Sequence, residues 1–280
     1  MLFPTCPKLC SFRKTPMPKI SLIVAVYKNI PVLGLILQAL EGSSFRDFEV
    51  IIAEDNDGAA MRDFLKSAQL RHTFVIKHLW QPDAGFRKDR ALNRAVAAAE
   101  ADLLVFIDGD CVPHRHFLQA HYRNRAPKIA CYGRRVMLSE QLSTRILANA
   151  AAQLPKLNFW QALRYRCQRL DSGLYWPFMP TPIQTTTAIW GCNWSIHKKD
   201  LLVVNGFDED YVKPGIGEDT DIEWRLFRAG IRLKKIKFQA IQYHFYHPEN
   251  YASTQENETL MRQKVADGKV FCERGVQQYL

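Results

Sequence analysis

From Ile20 the chain reads ISLIVAVY, a nearly unbroken apolar and β-branched run of the kind a parallel strand buried on both faces requires. Asn29 stands where it can cap a helix opening near Pro31, and Leu33, Ile36, Leu37 and Leu40 repeat at i, i+3, i+4, i+7 as one buried stripe that Gly42 ends. Residues 48–53 (FEVIIA) predict a second strand, which runs into the acidic turn Glu54, Asp55, Asn56, Asp57, Gly58 before a helix over 59–69. A third strand near 74–78, a helix over 88–99 with Leu92, Val96 and Ala99 on one face, and a fourth strand at 103–107 (LLVFI) complete a βαβ progression.

Such alternation predicts an α/β fold, a mostly parallel sheet with helices on both faces, in which ligands bind at the carboxyl ends of the strands. Tyr27, Asp55 and Asp108 occupy those ends. After Val112 the alternation weakens: a helix over 113–124, a strand over 129–136, then a basic and aromatic helical stretch over 140–170. A second ordered block opens at Thr185 (TTTAIWGCNWSIHKKD) and includes a helix over 219–229, with Ile222, Leu226 and Ala229 inward and Gly230 at its end. RLKKIKF and IQYHFYH read as strands. The expected organisation is a flexible extension over 1–18, one domain over 19–250, and a helical tail over 251–280.

A length of 280 residues suits a single α/β domain, and the 47% hydrophobic and 24% charged shares are those of an ordinary globular chain. The net charge of +10 asks for an anionic partner, whether nucleic acid, a membrane surface or a phosphorylated substrate. Seven scattered cysteines without a CxxC pair argue against a disulfide framework or a zinc site and for the reducing cytoplasm. The first 18 residues hold no apolar run fit for a signal peptide, and about 18 consecutive apolar residues occur nowhere, so membrane contact is expected to be peripheral.

Asp108, Gly109 and Asp110 follow directly on LLVFI. Two carboxylates at i, i+2 across a tight turn can split their work, one gripping Mg2+ or Mn2+ and one facing a ribose; the alternative is an ordinary acidic turn. Asp55 could accept a hydrogen bond from a nucleobase N–H, or could be a turn residue. The run Gly217, Glu218, Asp219, Thr220, Asp221 opens a helix, where acidic residues are favoured by the dipole, yet a carboxylate there could also serve as a general base. His244 and His247 could offer an imidazole to the same metal. Arg87 and Lys88 sit at a helix start suited to phosphate. The stretch FWQALRYRCQR over 159–169, with Tyr175, Trp176 and Phe178, fits either an interfacial element on anionic lipid or a helix with its aromatics in the core.

Taken in order, ISLIVAVYK, FEVIIAEDND, QPDAGFRKDRALN, the DGD after LLVFI, WGCNWSIHKKDLLVVNGFDEDY and GEDTDIEWRL resemble the inverting glycosyltransferases of family 2, which have the GT-A fold, over residues 19–246. The likeness is nearest to bacterial enzymes of lipopolysaccharide, capsule and related surface glycans, including chondroitin-polymerase-type domains. NGFDEDY and GEDTD also look like the C-terminal block of β-1,4-galactosyltransferases. The resemblance implies a Rossmann-like nucleotide-sugar half over 19–112 and an acceptor half over 113–250.

It also implies roles. Ala25, Tyr27 and Asp55 would line the base pocket, Asp55 meeting the uracil N3 of a UDP-sugar, a UDP-hexose or UDP-N-acetylhexosamine. Arg87 and Lys88 would lie near the diphosphate, Asp108 at the ribose, and Asp110 with His244 at a divalent cation, Mn2+ or Mg2+. Asp219 would be the catalytic base, with Glu218 turned to the sugars, and Trp190, Gly191 and Asn193 would shape the acceptor or sugar site. The implied partners are a nucleotide-sugar donor and a glycan or lipid-linked glycan acceptor, with peripheral contact at the inner face of the cytoplasmic membrane and no nucleic acid. Two positions depart from the family pattern: Glu54-Asp55 stands for the usual Asp-Asp, and Ala25 for a small polar residue. A sugar nucleotidyltransferase would carry a Gly-rich loop after the first strand, which VAVYKNIPVLG lacks, and a nucleic-acid-binding module rests on charge alone.

Overall fold

The computed structural model describes residues 17–149, 157, 159–184, 189–215, 218–248 and 255–280, without the side chains of Gln184 and Glu218. The expected extension up to 16, the opening of the Thr185 block and the Ile216–Gly217 approach lie outside the described residues.

The first half alternates as its pattern predicts: β1 (Ile20–Val26), α1 (Ile30–Glu41), β2 (Phe48–Glu54), α2 (Ala59–Gln69), β3 (Val75–Trp80), α3 (Lys88–Ala98) and β4 (Leu103–Asp108). Asn29 caps α1, its side chain accepting from the Val32 N–H. The second half holds β5 (Cys111–Pro113), α4 (Phe117–Asn124), β6 (Ile129–Tyr132), β7 (Arg134–Met137), α5 (Glu140–Ala148), α6 (Phe159–Arg164), β8 (Ile183–Gln184), β9 (Trp194–His197), α7 (Lys198–Leu202), α8 (Glu218–Arg228), β10 (Arg232–Lys235), β11 (Ile241–His244) and α9 (Gln255–Ala266).

Eight strands form one sheet in the order β3-β2-β1-β4-β9-β6-β10-β8, and β5-β11-β7 form a second. β1 runs parallel to β2 and β4, and β2 to β3, while β9 is antiparallel to both β4 and β6. Alternate residues of β1 feed two cores. Leu22, Val24 and Val26 join Leu33, Ile36 and Met61 of α1 and α2 on one face. Ile23 and Ala25 join Leu92 and Val96 of α3 and Ile222 and Leu226 of α8 on the other.

Three expectations change. The strand expected over 129–136 breaks at Gly133, where a Cβ would stand 2.4 Å from the Asn193 amide and 2.6 Å from the Ala240 carbonyl. The chain there crosses from the large sheet to the small one. The helix expected from Pro113 begins at Phe117 instead, because 111–113 pair with β11. The end of the expected tail folds back: Cys272 and Val276 are buried, and the Val276 N–H donates to the Asn205 carbonyl.

α8 is anchored from below. Arg225 and Asp221, each 1% exposed, pair at 2.6 Å, and the guanidinium also donates to the Val204 and Gly206 carbonyls. No described helix is long and apolar enough to cross a membrane. In the aromatic stretch Ala162 and Cys167 are the buried residues, whereas the aromatic Trp160, Tyr175, Trp176 and Phe178 are exposed, Trp160 and Phe178 at 74% and 88%.

His121 lies fully buried between the Ser195 hydroxyl (2.8 Å) and the Asn193 side chain (3.2 Å), and burial pushes its pKa down to about 3. The unfolded chain takes up this proton near pH 6.5 and the folded chain does not, so stability falls as pH drops through the window between them. The expected loss is about 1.4 kcal/mol per pH unit below 6.5 from this group. Thermal melts from pH 7 to 4 check it; in His121→Asn the slope should flatten.

Candidate active site

The register of the parallel strands sets the site. Ala25 of β1 pairs with Ala53 of β2 and with Asp108 of β4, so Ala25, Asp55 and Asp108 reach one sheet edge together. Gly109 turns the chain there: its N–H donates to the Ala25 carbonyl at 2.6 Å, and a Cβ would meet Val26 at 2.8 Å. Asp110 is thereby swung over the strand ends.

A cleft of about 1130 Å³ opens above this edge, lined among others by Ala25, Tyr27, Asp55, Lys88, Asp108, Asp110, Trp190, Gly191, Asp219, His244 and His247. Asp55 is 7% exposed and held from both sides, by the Gln81 amide at 2.7 Å and the Arg87 N–H at 2.6 Å. Arg87 therefore contributes through its backbone: its guanidinium turns to the Phe86 carbonyl and does not line the cleft. Glu54 is fully buried and bonds His78 (2.7 Å) and Asn56 (3.2 Å), away from the cleft. The departure at position 54 thus leaves the cleft wall unchanged. Tyr27 is half exposed and bonds Asp83.

The small sheet delivers the second cluster. β11 pairs His244 with Cys111, and the Phe245 N–H donates to the Asp110 carbonyl, so His244 and Asp110 face each other. One Asp110 oxygen lies 3.3 Å from the Nε2 of both His244 and His247, and the three donors fall within 4.8 Å of one another. Burial would raise the Asp110 carboxyl, but hydrogen bonds from His244 and His247 outweigh it and hold it well below the usual carboxylate range. The same hydrogen bond raises His247 to about 9.

Asp219, in the first turn of α8, lines the same cleft. Burial raises its carboxyl above the ordinary range, against the pull of Lys88 and a hydrogen bond from the Gly191 N–H. Lys88 itself pairs with Asp108 at 2.9 Å. A Cβ at Gly191 would stand 2.6 Å from an Asp219 carboxylate oxygen, so a side chain here would push that carboxylate aside.

Asn193 lies elsewhere. It is 1% exposed, outside the cleft, and its amide donates to the Arg134 and Ala240 carbonyls at 2.9 and 3.0 Å. It belongs to the joint between the two sheets, so Asn193→Ala should lower stability by about 1–3 kcal/mol by leaving buried carbonyls unpaired. Chemical denaturation would register that loss with ligand affinity unchanged. Cleft residues given no role from the sequence include Glu223, whose carboxylate accepts from the Ile189 N–H at 2.7 Å, Arg135 and Arg169. Glu223 carries a signal in the sequence, at i+4 from Asp219 on one helix.

A sequence pattern described as Glycosyltransferase like family 2 matches residues 18–264. The chain belongs to this glycosyltransferase family. A validoxylamine A glucosyltransferase of Streptomyces hygroscopicus subsp. jinggangensis is 26% identical to this family 2 chain over 239 residues, covering 78% of the chain and 53% of the relative. The chain thus spans about half the length of the curated relatives it matches. Solved structures share the GT-A fold. The mannosyltransferase PcManGT from Pyrobaculum calidifontis, in complex with GDP-Man and Mn2+, superposes with TM-score 0.59 at 16% identity over 91% of this chain and 65% of that one. S. aureus TarS 1–349 with UDP-GlcNAc gives TM-score 0.59 at 15% identity over 93% of this chain and 69% of that one.

Proposed function

We propose that the chain transfers a sugar from a nucleoside-diphosphate sugar, a UDP-hexose or UDP-N-acetylhexosamine, to a hydroxyl of a surface-glycan acceptor with inversion at the anomeric carbon. The observation that carries this reading is the placement of Asp219, a carboxylate kept basic by burial, in one cleft with Asp55, the Lys88–Asp108 pair and the Asp110–His244–His247 cluster. The nucleotides named with PcManGT and TarS support a nucleotide-sugar donor.

Asp55, fixed by Gln81 and Arg87, accepts from a base N–H, and Ala25 leaves room for the base. Asp108 accepts from a ribose hydroxyl, and Lys88 lies where a diphosphate brings negative charge. Asp219 takes the proton of the acceptor hydroxyl as that oxygen attacks from the face opposite the leaving group. One carboxylate and two imidazoles fit a divalent cation, and the imidazole share favours Mn2+ over Mg2+. Bound there, such an ion supplies electrostatic stabilisation of the departing diphosphate. Glu218 we assign to orienting the donor or acceptor sugar.

The test is a panel of UDP- and GDP-sugars with Mn2+, reading released nucleoside diphosphate with and without EDTA. Slow hydrolysis of one donor, lost in EDTA, is the expected result. Release of pyrophosphate instead would point to nucleotidyl transfer, and neither turnover nor donor-induced thermal shift would defeat the reading.

A further inference from the structure

Trp190, expected to shape the acceptor or sugar site, has its ring covered by cationic side chains. The guanidinium carbons of Arg169, Arg134 and Arg135 lie 4.4, 4.5 and 5.7 Å from its ring centroid. An aromatic ring covered by guanidinium groups orients cations and leaves little face on which a pyranose could stack.

Two adjoining segments build the cluster. β7 carries Arg134 and Arg135, and reciprocal backbone hydrogen bonds between Met137 and Gln168 (3.1 and 2.9 Å) pin residues 166–169 beside it. Arg166 and Arg169 hold φ of 52° and 56°, a left-handed conformation that non-glycine residues seldom adopt and that clusters at functional sites. Arg135 and Arg169 line the cleft, and among the described residues neither has a carboxylate within ion-pairing distance. The Arg135 Nε is buried without a hydrogen-bond partner. The guanidinium groups of Arg135 and Arg169 thus reach the cleft together, where one anion can accept from both.

Lys88 and the Asp110 cluster are the groups proposed above for the donor's diphosphate, which leaves these arginines for a second anion. Gly191, next to Trp190, abuts the carboxylate of Asp219, so the arginines stand beside the place where the acceptor hydroxyl must lie. We propose that Arg135 and Arg169, oriented by Trp190, form an oxyanion subsite, and that the acceptor is a sugar bearing a carboxylate or a phosphate near its reacting hydroxyl. The inference rests on Asp219 as the base.

Calorimetric titration of the full chain in EDTA, without donor and at constant ionic strength, tests it with glucuronate, glucose 6-phosphate and glucose. One or both acids should bind and glucose should not; preference between the acids tells carboxylate from phosphate. Arg169→Gln should weaken binding about fivefold or more, as loss of a charge-assisted contact does, and Arg169→Lys should recover part of it. Lys66→Gln, which removes the same charge from an exposed stretch of α2, should have no effect. If melting shows that Arg169→Gln does not fold, Arg135→Gln replaces it. Equal binding of glucose, no binding of either acid, or an equal loss in Lys66→Gln would overturn the subsite. Because no donor is present, anion binding without turnover in the donor panel would remove the transferase reading and keep the subsite, and turnover without anion binding would do the reverse.

Discussion

Asp219→Asn should slow sugar transfer by about 10³-fold, within the 10²–10⁴ that a positioned general base contributes. Asparagine preserves shape and retains an oxygen to accept the Gly191 N–H, so the turn of α8 stays in place and only the proton acceptor is lost. Donor-induced thermal shift should therefore survive while transfer collapses. The pH dependence gives a second, independent signature. Burial raises the Asp219 carboxyl, so the protonated, inactive form persists above the ordinary carboxylate range. The wild-type kcat/KM should rise with pH through an acid limb lying above about pH 4, and the residual activity of the variant should lack that limb. A variant retaining more than a tenth of wild-type transfer would remove Asp219 from the role.

Asp110→Ala should cost about 10²–10³-fold in donor turnover, several kcal/mol of electrostatic stabilisation at the leaving group. The same variant should lose the Mn2+-induced rise in melting temperature. The backbone explains why the loss should be local: the carbonyl that receives the Phe245 N–H remains, so β11 keeps its place. His247 gives a reading without turnover. Its pKa stands at about 9 through the hydrogen bond to Asp110, and without that partner it should fall toward about 6.5, the ordinary imidazole value. An NMR titration of the metal-free protein follows this shift directly. EDTA-sensitive turnover at the wild-type rate in Asp110→Ala would transfer the metal role to other residues.

Much of the cleft was legible because it depends on local rules. An apolar run fixes a buried strand, its carboxyl end fixes where polar side chains emerge, and parallel register aligns those ends, which places Ala25, Asp55 and Asp108 together. What the pattern missed depends on contacts remote in sequence. Nothing near Gly133 announces that the chain changes sheets there, since the reason is the Asn193 amide sixty residues later in the chain. Asn193 sits within a block rich in motif residues, and only tertiary packing shows that its amide joins two sheets and lies outside the cleft. Arg135 and Arg169 look like solvated charges on a basic chain until β7 and residues 166–169 are seen to pair. Glu54, where the family pattern has Asp, turns its carboxylate to His78 on β3, a contact remote in sequence.

The anchoring of α8 has a bearing on selectivity. The buried Arg225 ties the helix to the carbonyls of Val204 and Gly206, so Asp219, less than two turns ahead, cannot swing toward a badly seated hydroxyl by rotation of its helix. With Asp219 as the proposed base, its distance from the anomeric centre would in effect be a fixed gauge. An acceptor whose hydroxyl rests an ångström too shallow meets a proton acceptor out of reach, and a misplacement of that size is enough to cost about two orders of magnitude in rate. Discrimination among acceptors would then be exercised at the moment of reaction, by depth, more than by how tightly each is held.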